Sequence, residues 1–249
     1  MDDFREHTDS WGKDVAIAEP ERPAATLCMA CPVRRLCVGS LAAEAGTRLL
    51  RGMLAGRQRL RAGQRLDPRA AGPGVLHVVH EGALKSVAPD GQVRAFHFPG
   101  ELAAAEGLGG LRDAGMVVAL EDSELCAIRW MARDGGQTAA YQARLWDMAS
   151  REIVRERGQS AWLAGLAPLR RVAAFLSLVA LRLRVHGAPV GELRLVASPA
   201  EIAGYLGLAD GATGEALDRL ESRRLLERHG LVTCILRPEL LQREAQRSW

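Results

Sequence analysis

Residues 198–224, SPAEIAGYLGLADGATGEALDRLESRR, decide how this chain is read. Ser198 supplies an N-cap hydroxyl, Pro199 suits the first helical position, and Glu201 stands where a capping-box carboxylate reaches back to the cap. A short helix over Ile202 to Leu206, a turn at Gly207 and a second helix from about Asp210 to Arg223 follow. Downstream, LLERHGLVTCILRP reads as a β-hairpin turning at His229-Gly230. A helix-turn-helix followed by a hairpin is the outline of a winged helix.

Working upstream, Val172, Phe175, Leu176, Val179 and Leu183 form the apolar stripe of another helix, set off by Pro168 and ending near Gly187. Before that break, from about Thr138, the residues Trp146, Ala149, Ile153, Glu156, Ser160 and Leu163 are spaced 3, 4, 3, 4 and 3 apart, the a/d seam of a coiled coil that seeks a partner helix. From about Leu60 to Trp130 the texture is different. VLHVVHEG, ALKSVAPDG and QVRAFHFPG place Gly82, Gly91 and Gly100 nine residues apart, and turns at that spacing between short apolar runs indicate an antiparallel sandwich or barrel. Asp90-Gly91 is the clearest hairpin turn. The fold class is therefore α+β, with four parts: a poorly ordered tail over residues 1–25, a cysteine segment plus β-roll sensor domain over 26–137, a dimerisation helix over 138–167, and a winged helix-turn-helix over 168–249.

The chain has 249 residues, of which 48% are hydrophobic and 25% charged, close to the averages for globular domains, and this argues against wholesale disorder or a fibrous rod. No stretch approaches the roughly 20 apolar residues needed to span a bilayer, and the acidic start MDDFREHTDS is unlike a signal peptide, so no membrane partner and a cytoplasmic location are expected. The net charge of +3 permits nucleic-acid binding without requiring it, and the basic residues are almost all arginine, with lysine only at Lys13 and Lys85.

In a reducing compartment the five cysteines point to metal or redox chemistry rather than disulfides. Cys28-x2-Cys31-x5-Cys37 brings three thiolates within reach of one centre. Tetrahedral zinc and a four-iron cluster both want a fourth ligand, and Cys126 in SELCAI is the candidate; a buried free cysteine acting as a small hydrophobe is the plainer alternative. Cys234, on a wing strand, reads as structural. His77, His80 and His97 lie on strands with no carboxylate placed beside them. With no phosphate loop or nucleophile elbow in the sequence, an enzyme is not expected.

The order of these features, Cys-x2-Cys-x5-Cys, a glycine-punctuated β-roll, one cysteine in SELCAI, a seam helix, then EIAGYLGL opening the helix-turn-helix, resembles the Crp/Fnr superfamily of bacterial transcription regulators, and more narrowly its oxygen-sensing Fnr branch. The resemblance spans about Leu27 to Pro238. It implies a [4Fe-4S] cluster on Cys28, Cys31, Cys37 and Cys126, zinc being the alternative, and a homodimer binding double-stranded DNA, with RNA polymerase as a further partner. It also implies a dimer seam at Ile153, Glu156, Ser160 and Leu163, in which two copies of Glu156 repel and hold the cluster-free form apart. A cyclic nucleotide is not expected. PGEL, residues 99–102, matches half of such a site, but the Arg-Ser pair that should follow is missing from AAAEGLGGLRDAG. The reading helix departs from the Fnr pattern. Its Glu, Ser and Arg become Gly211, Gly214 and Glu215, leaving Thr213, Glu215 and Arg219 as base readers and Arg170, Arg171, Arg223, Arg224 and Arg228 as phosphate contacts. A module that binds zinc and has lost sequence-specific DNA binding is the alternative function.

Overall fold

The computed structural model describes residues 28–42, 53–67, 74–103, 115–129, 139–185, 187–188 and 193–246. The tail expected over residues 1–25 lies outside them.

Two antiparallel four-stranded sheets form the β-roll. One has the order β1-β8-β3-β6, from Leu54–Leu60, Ser123–Arg129, Val75–Glu81 and Leu102–Ala103; the other has the order β2-β7-β4-β5, from Arg65–Leu66, Met116–Ala119, Leu84–Val87 and Val93–His97. Between them Leu60, Leu66, Val79, Leu84, Val117 and Leu125 fill a small apolar core. The nine-residue glycine period marks backbone positions with φ between 86° and 88°, the left-handed region that side chains disfavour. At Gly82 space forbids a side chain as well, since a Cβ would sit 2.2 Å from Ser123 Oγ. The hairpin at Asp90-Gly91 is longer than a two-residue turn. Ala88 N donates to Gln92 O at 2.8 Å and the register shifts between Ser86 and Val87, so five residues make the loop.

Helix α1, Ala139–Ala164, follows the roll. At 1.5 Å per residue it is about 39 Å long, ample for a helical seam. Helix α2, Pro168–Val185, buries the expected Val172, Phe175, Leu176, Val179 and Leu183. Helix α3, Pro199–Leu206, begins at the capping box read from the sequence: Glu201 N donates to Ser198 Oγ at 3.2 Å, and Ser198 N donates to Glu201 Oε2 at 2.6 Å. It ends at Gly207, whose φ of 63° is left-handed. Helix α4, Asp210–Ser222, completes the helix-turn-helix.

The wing is a three-stranded sheet, β10-β11-β9, from Leu226–His229, Val232–Ile235 and Arg194–Val196, with Gly230 at its tip. Strand β9 and helix α5, Pro238–Gln246, were not read from the sequence; α5 buries Leu241 and Ala245 against the core that α2 shares.

The roll and the winged helix share one apolar core. Phe96 and Phe98 of the roll cluster with Phe175 and Leu176 of α2 and Ile202 and Leu206 of α3. Phe96, Phe175 and Tyr205 form an aromatic triangle with ring centroids 5.2 to 5.6 Å apart. This explains why β5 is buried on both faces in place of a clean alternation: the outer face is covered by the second domain.

Candidate sensor and DNA-binding sites

From Cys28 to Ser40 the backbone winds in successive three-residue turns. The amides of Cys31, Arg34, Cys37 and Ser40 each donate to the carbonyl three residues earlier, at 3.1 to 3.4 Å. In 3₁₀-type turns positions three apart eclipse one another, so spacings of three and six put Cys28, Cys31 and Cys37 on one side. Opposite them, Cys126 lies on β8, paired with Arg57 of β1 and Val78 of β3. All four thiols line a single cavity, walled by Val33, Val38, Leu54, Val78 and Ile128.

Burial is the main cause that raises the pKa of three of these thiols: Cys28 upward, Cys37 to about 11 and Cys126 to about 12. They are protonated at neutral pH, so binding a metal there releases protons. Among the described residues no three His, Cys, Asp or Glu side chains converge tightly enough to hold a single ion.

The cysteine segment is clasped by α1. Arg144 Nε donates to Cys37 O at 3.3 Å, the same side chain also donates to Arg35 O, and Arg151 Nη2 donates to Leu36 O at 2.9 Å. Asp147 sits between the two arginines, 2.6 and 3.0 Å from them. Below this clasp Tyr141, Leu145, Met148 and Ala149 of α1 pack with Cys28, Cys37 and Cys126. The sequence reading missed Arg144 and Arg151, although their seven-residue separation on one helix is a detectable signal.

The opposite face of α1 is open. Trp146 is 60%, Ile153 48% and Val154 70% exposed, a costly apolar stripe for a lone helix. Ala149, expected in that stripe, instead faces inward at 4% exposed. On a 3.6-residue helix Ala149 falls on the same face as Leu145 and Met148, which packs on the roll. Glu156, Ser160 and Leu163 lie within α1, and their side chains are outside the described residues.

On α4, Glu215 and Arg219 are exposed one turn apart. Thr213 is a correction: it is fully buried, with its hydroxyl unpartnered, because position 213 falls on the stripe of Ala216, Leu217 and Leu220. The arginines expected on phosphates are largely engaged elsewhere. Arg228 pairs with Asp218 and Glu221, Arg223 with Glu244, Arg170 donates to Ala245 O, and Arg171 donates to Leu166 O and Leu206 O. Arg219 and Arg224 are exposed and make no side-chain ion pair among the described residues; Arg224 holds a left-handed φ of 57°. A Cβ at Gly211 or Gly214 would meet nothing within 4 Å, so packing does not require glycine at either position.

Glu101, the carboxylate of PGEL, is committed within the chain. Arg182 of α2 grips it with Nε–Oε1 at 3.0 Å and Nη2–Oε2 at 2.6 Å, and its guanidinium lies 4.7 Å over the Phe98 ring. Burial disfavours the Arg182 charge, but Glu101 outweighs it and raises the pKa further. Nearby, His97 Nε2 meets Ser86 Oγ at 2.7 Å, and His97 Nδ1 lies 3.6 Å from Glu152 of α1, both residues being buried. A second link joins Lys85 of β4 to Glu201 of α3. Burial opposes the Glu201 charge, yet hydrogen bonds from Lys85 and Ser198 hold its carboxyl below the usual range.

The architecture is thus a β-roll joined through a long helix to a winged helix-turn-helix. The chain belongs to the Crp/Fnr family of transcription regulators and, within it, to the Fnr-like branch. It is 32% identical over 223 residues to the transcriptional regulatory protein btr of Bordetella pertussis, covering 86% of this chain and 88% of that protein. It is 25% identical over 222 residues to the fumarate and nitrate reduction regulatory protein of Vibrio cholerae, covering 86% and 89%. A CRP-family transcriptional regulator from Thermus thermophilus has the same fold, with a TM-score of 0.59 at 18% identity over 76% of this chain and 97% of that one. No protein-family model matches the chain. The protein is accordingly a DNA-binding transcription regulator, of a family that acts as dimers, and not an enzyme. No described helix is long and apolar enough to cross a membrane.

Proposed function

We propose that this regulator responds to oxygen or redox state through a [4Fe-4S] cluster on Cys28, Cys31, Cys37 and Cys126. The observation that carries the reading is the meeting of all four thiols on one cavity that is clasped to the inner face of the seam helix. Four soft donors with apolar walls suit iron–sulfur chemistry. Zinc, which draws four thiolates to about 2.3 Å from one point, is the alternative occupant of the same donors. When bound, such a cluster supplies an oxidant-labile cross-link between the cysteine segment and β8.

The chain's own residues carry the rest. Arg144 and Arg151 tie the segment to α1, so the state of the thiol site bears on the helix whose outer face offers Trp146 and Ile153 to a second copy. In this reading residues 26–137 are the sensor, 138–167 the dimerisation helix with Ile153, Glu156, Ser160 and Leu163 at the seam, and 168–249 the DNA-binding domain, reading DNA through Glu215, Arg219 and Arg224. Arg223 joins them once released from Glu244. The protein works in the cytoplasm with RNA polymerase as partner. The roll takes no cyclic nucleotide, since Glu101 is spent on Arg182.

Anaerobic purification tests the proposal. The expected protein is brown, holds iron and sulfide, bleaches in air, and shifts toward monomer on a sizing column as it bleaches, with Glu156→Ala giving more dimer in the bleached form. A colourless zinc protein of unchanged size in air and under nitrogen refutes it.

A further inference from the structure

The thiol cavity carries two nitrogen groups that neither the cysteine pattern nor the seam explains. Arg57 lies directly across from Cys126 in the register of β1 and β8, and it lines the same cavity as the four thiols. Its Nη1 donates to Glu124 at 2.7 Å, but its Nε is buried without a partner. His80, on β3, lines the same cavity, and its Nδ1 is likewise buried and unpartnered. A buried N–H that donates to nothing is costly, so the Arg57 Nε–H points to an acceptor inside the cavity, and His80 Nδ1 is a second donor there in the tautomer that protonates it. Among the described lining residues Arg57 is the one permanent cation, facing a site where four thiolates would gather negative charge away from water.

We propose that Arg57 is a positioning and charge-tuning residue for the metal centre, donating its Nε–H to a cluster sulfur or coordinating thiolate and offsetting the charge of the cluster. Glu124 sets how much of that positive charge the site feels. The proposal rests on the cluster reading above, and its logic is electrostatic: hydrogen bonds to sulfur and local net charge set the potential of an iron–sulfur centre. A cation beside the cluster favours the more reduced, more negative state.

The test uses full-length protein loaded anaerobically with iron and sulfide. It measures iron per chain and the midpoint potential of one-electron reduction by spectroelectrochemical titration. Arg57→Met should lower the potential by about 59 mV, a tenfold change in the reduction equilibrium. Glu124→Gln, which removes the opposing carboxylate, should raise it. Arg57→Lys keeps the charge without the Nε–H and should fall between wild type and Arg57→Met. A merely structural role would not give opposite signs at two partnered residues. Unchanged potentials at wild-type iron content, or shifts of the same sign in Arg57→Met and Glu124→Gln, overturn the proposal. If Arg57→Met fails to fold or to load, Glu124→Gln decides alone: an unshifted or lowered potential overturns it. Wild-type protein that takes up neither iron nor sulfide overturns the cluster reading itself and the proposal with it.

Discussion

Cutting the Arg182–Glu101 pair should uncouple the β-roll from the winged-helix domain. The two side chains are 11% and 1% exposed, so solvent does not screen them as it screens a surface pair. Two hydrogen bonds join them, Arg182 Nη2 also donates to Phe96 O, and Phe98 N donates to Glu101 Oε2 at 2.9 Å. Arg182→Met leaves a buried carboxylate without its cation, which costs about 3–5 kcal/mol. That is a large part of the total stability of an ordinary domain, roughly 5–15 kcal/mol. Glu101→Gln leaves a buried guanidinium with a neutral acceptor and should cost a comparable amount. The double variant removes both charges, so it should be well short of the sum, with a coupling energy of about 2 kcal/mol or more. Urea unfolding of the metal-free protein, followed by tryptophan fluorescence and far-ultraviolet circular dichroism, measures all four corners of the cycle. Coincident transitions in the wild type should separate in Arg182→Met as the domains lose their link. A coupling below about 0.5 kcal/mol, with coincident transitions in every variant, would refute the reasoning.

Three further outcomes follow from single side chains. His77 is buried in the roll and burial lowers its pKa from 6.5 to about 4, so the unfolded chain takes a proton in that window and the folded one does not; stability present above pH 6.5 is lost as pH falls toward 4, by roughly 3 kcal/mol, and His77→Leu should flatten the curve of unfolding free energy against pH over that range. Parallel curves for the two proteins would count against this account. Gly214→Ala should stabilise α4 by about 1 kcal/mol, read as a rise in melting temperature of about 2–4 °C, because the position is helical and a methyl group meets nothing. Glu215→Arg should tighten binding to any duplex and steepen the salt dependence by about one ion, measured by fluorescence anisotropy at several salt concentrations; an unchanged slope would mean that this face of α4 does not meet phosphate.

The features legible in the sequence are those whose physics is local. The capping box at Ser198 and Glu201 spans four residues, the left-handed turn at Gly207 needs one, and both occur as read. The buried stripe of α2 follows from helical spacing. Thr213 was misassigned because it is the one polar member of the buried stripe it shares with Ala216, Leu217 and Leu220, and a polar side chain on a helix reads as surface. Strand β9 and helix α5 were passed over for a related reason: one is three residues long and the other has only two buried positions, too little pattern to read.

The sequence by itself determined the order of the parts, the start of the helix-turn-helix and the grouping of three cysteines within reach of one centre, because each depends on residues within a few positions of one another. Only the tertiary structure decided which groups meet across the chain. Cys126 reaches the N-terminal thiols through β8, Arg144 closes on Cys37 across 107 positions, and Arg182 fills the hand of Glu101 across 81. Such contacts depend on how sheets and helices stack to bury a shared core, and no local spacing encodes them. That stacking also settles which side of α1 is buried against the roll and which leaves Trp146, Ile153 and Val154 exposed.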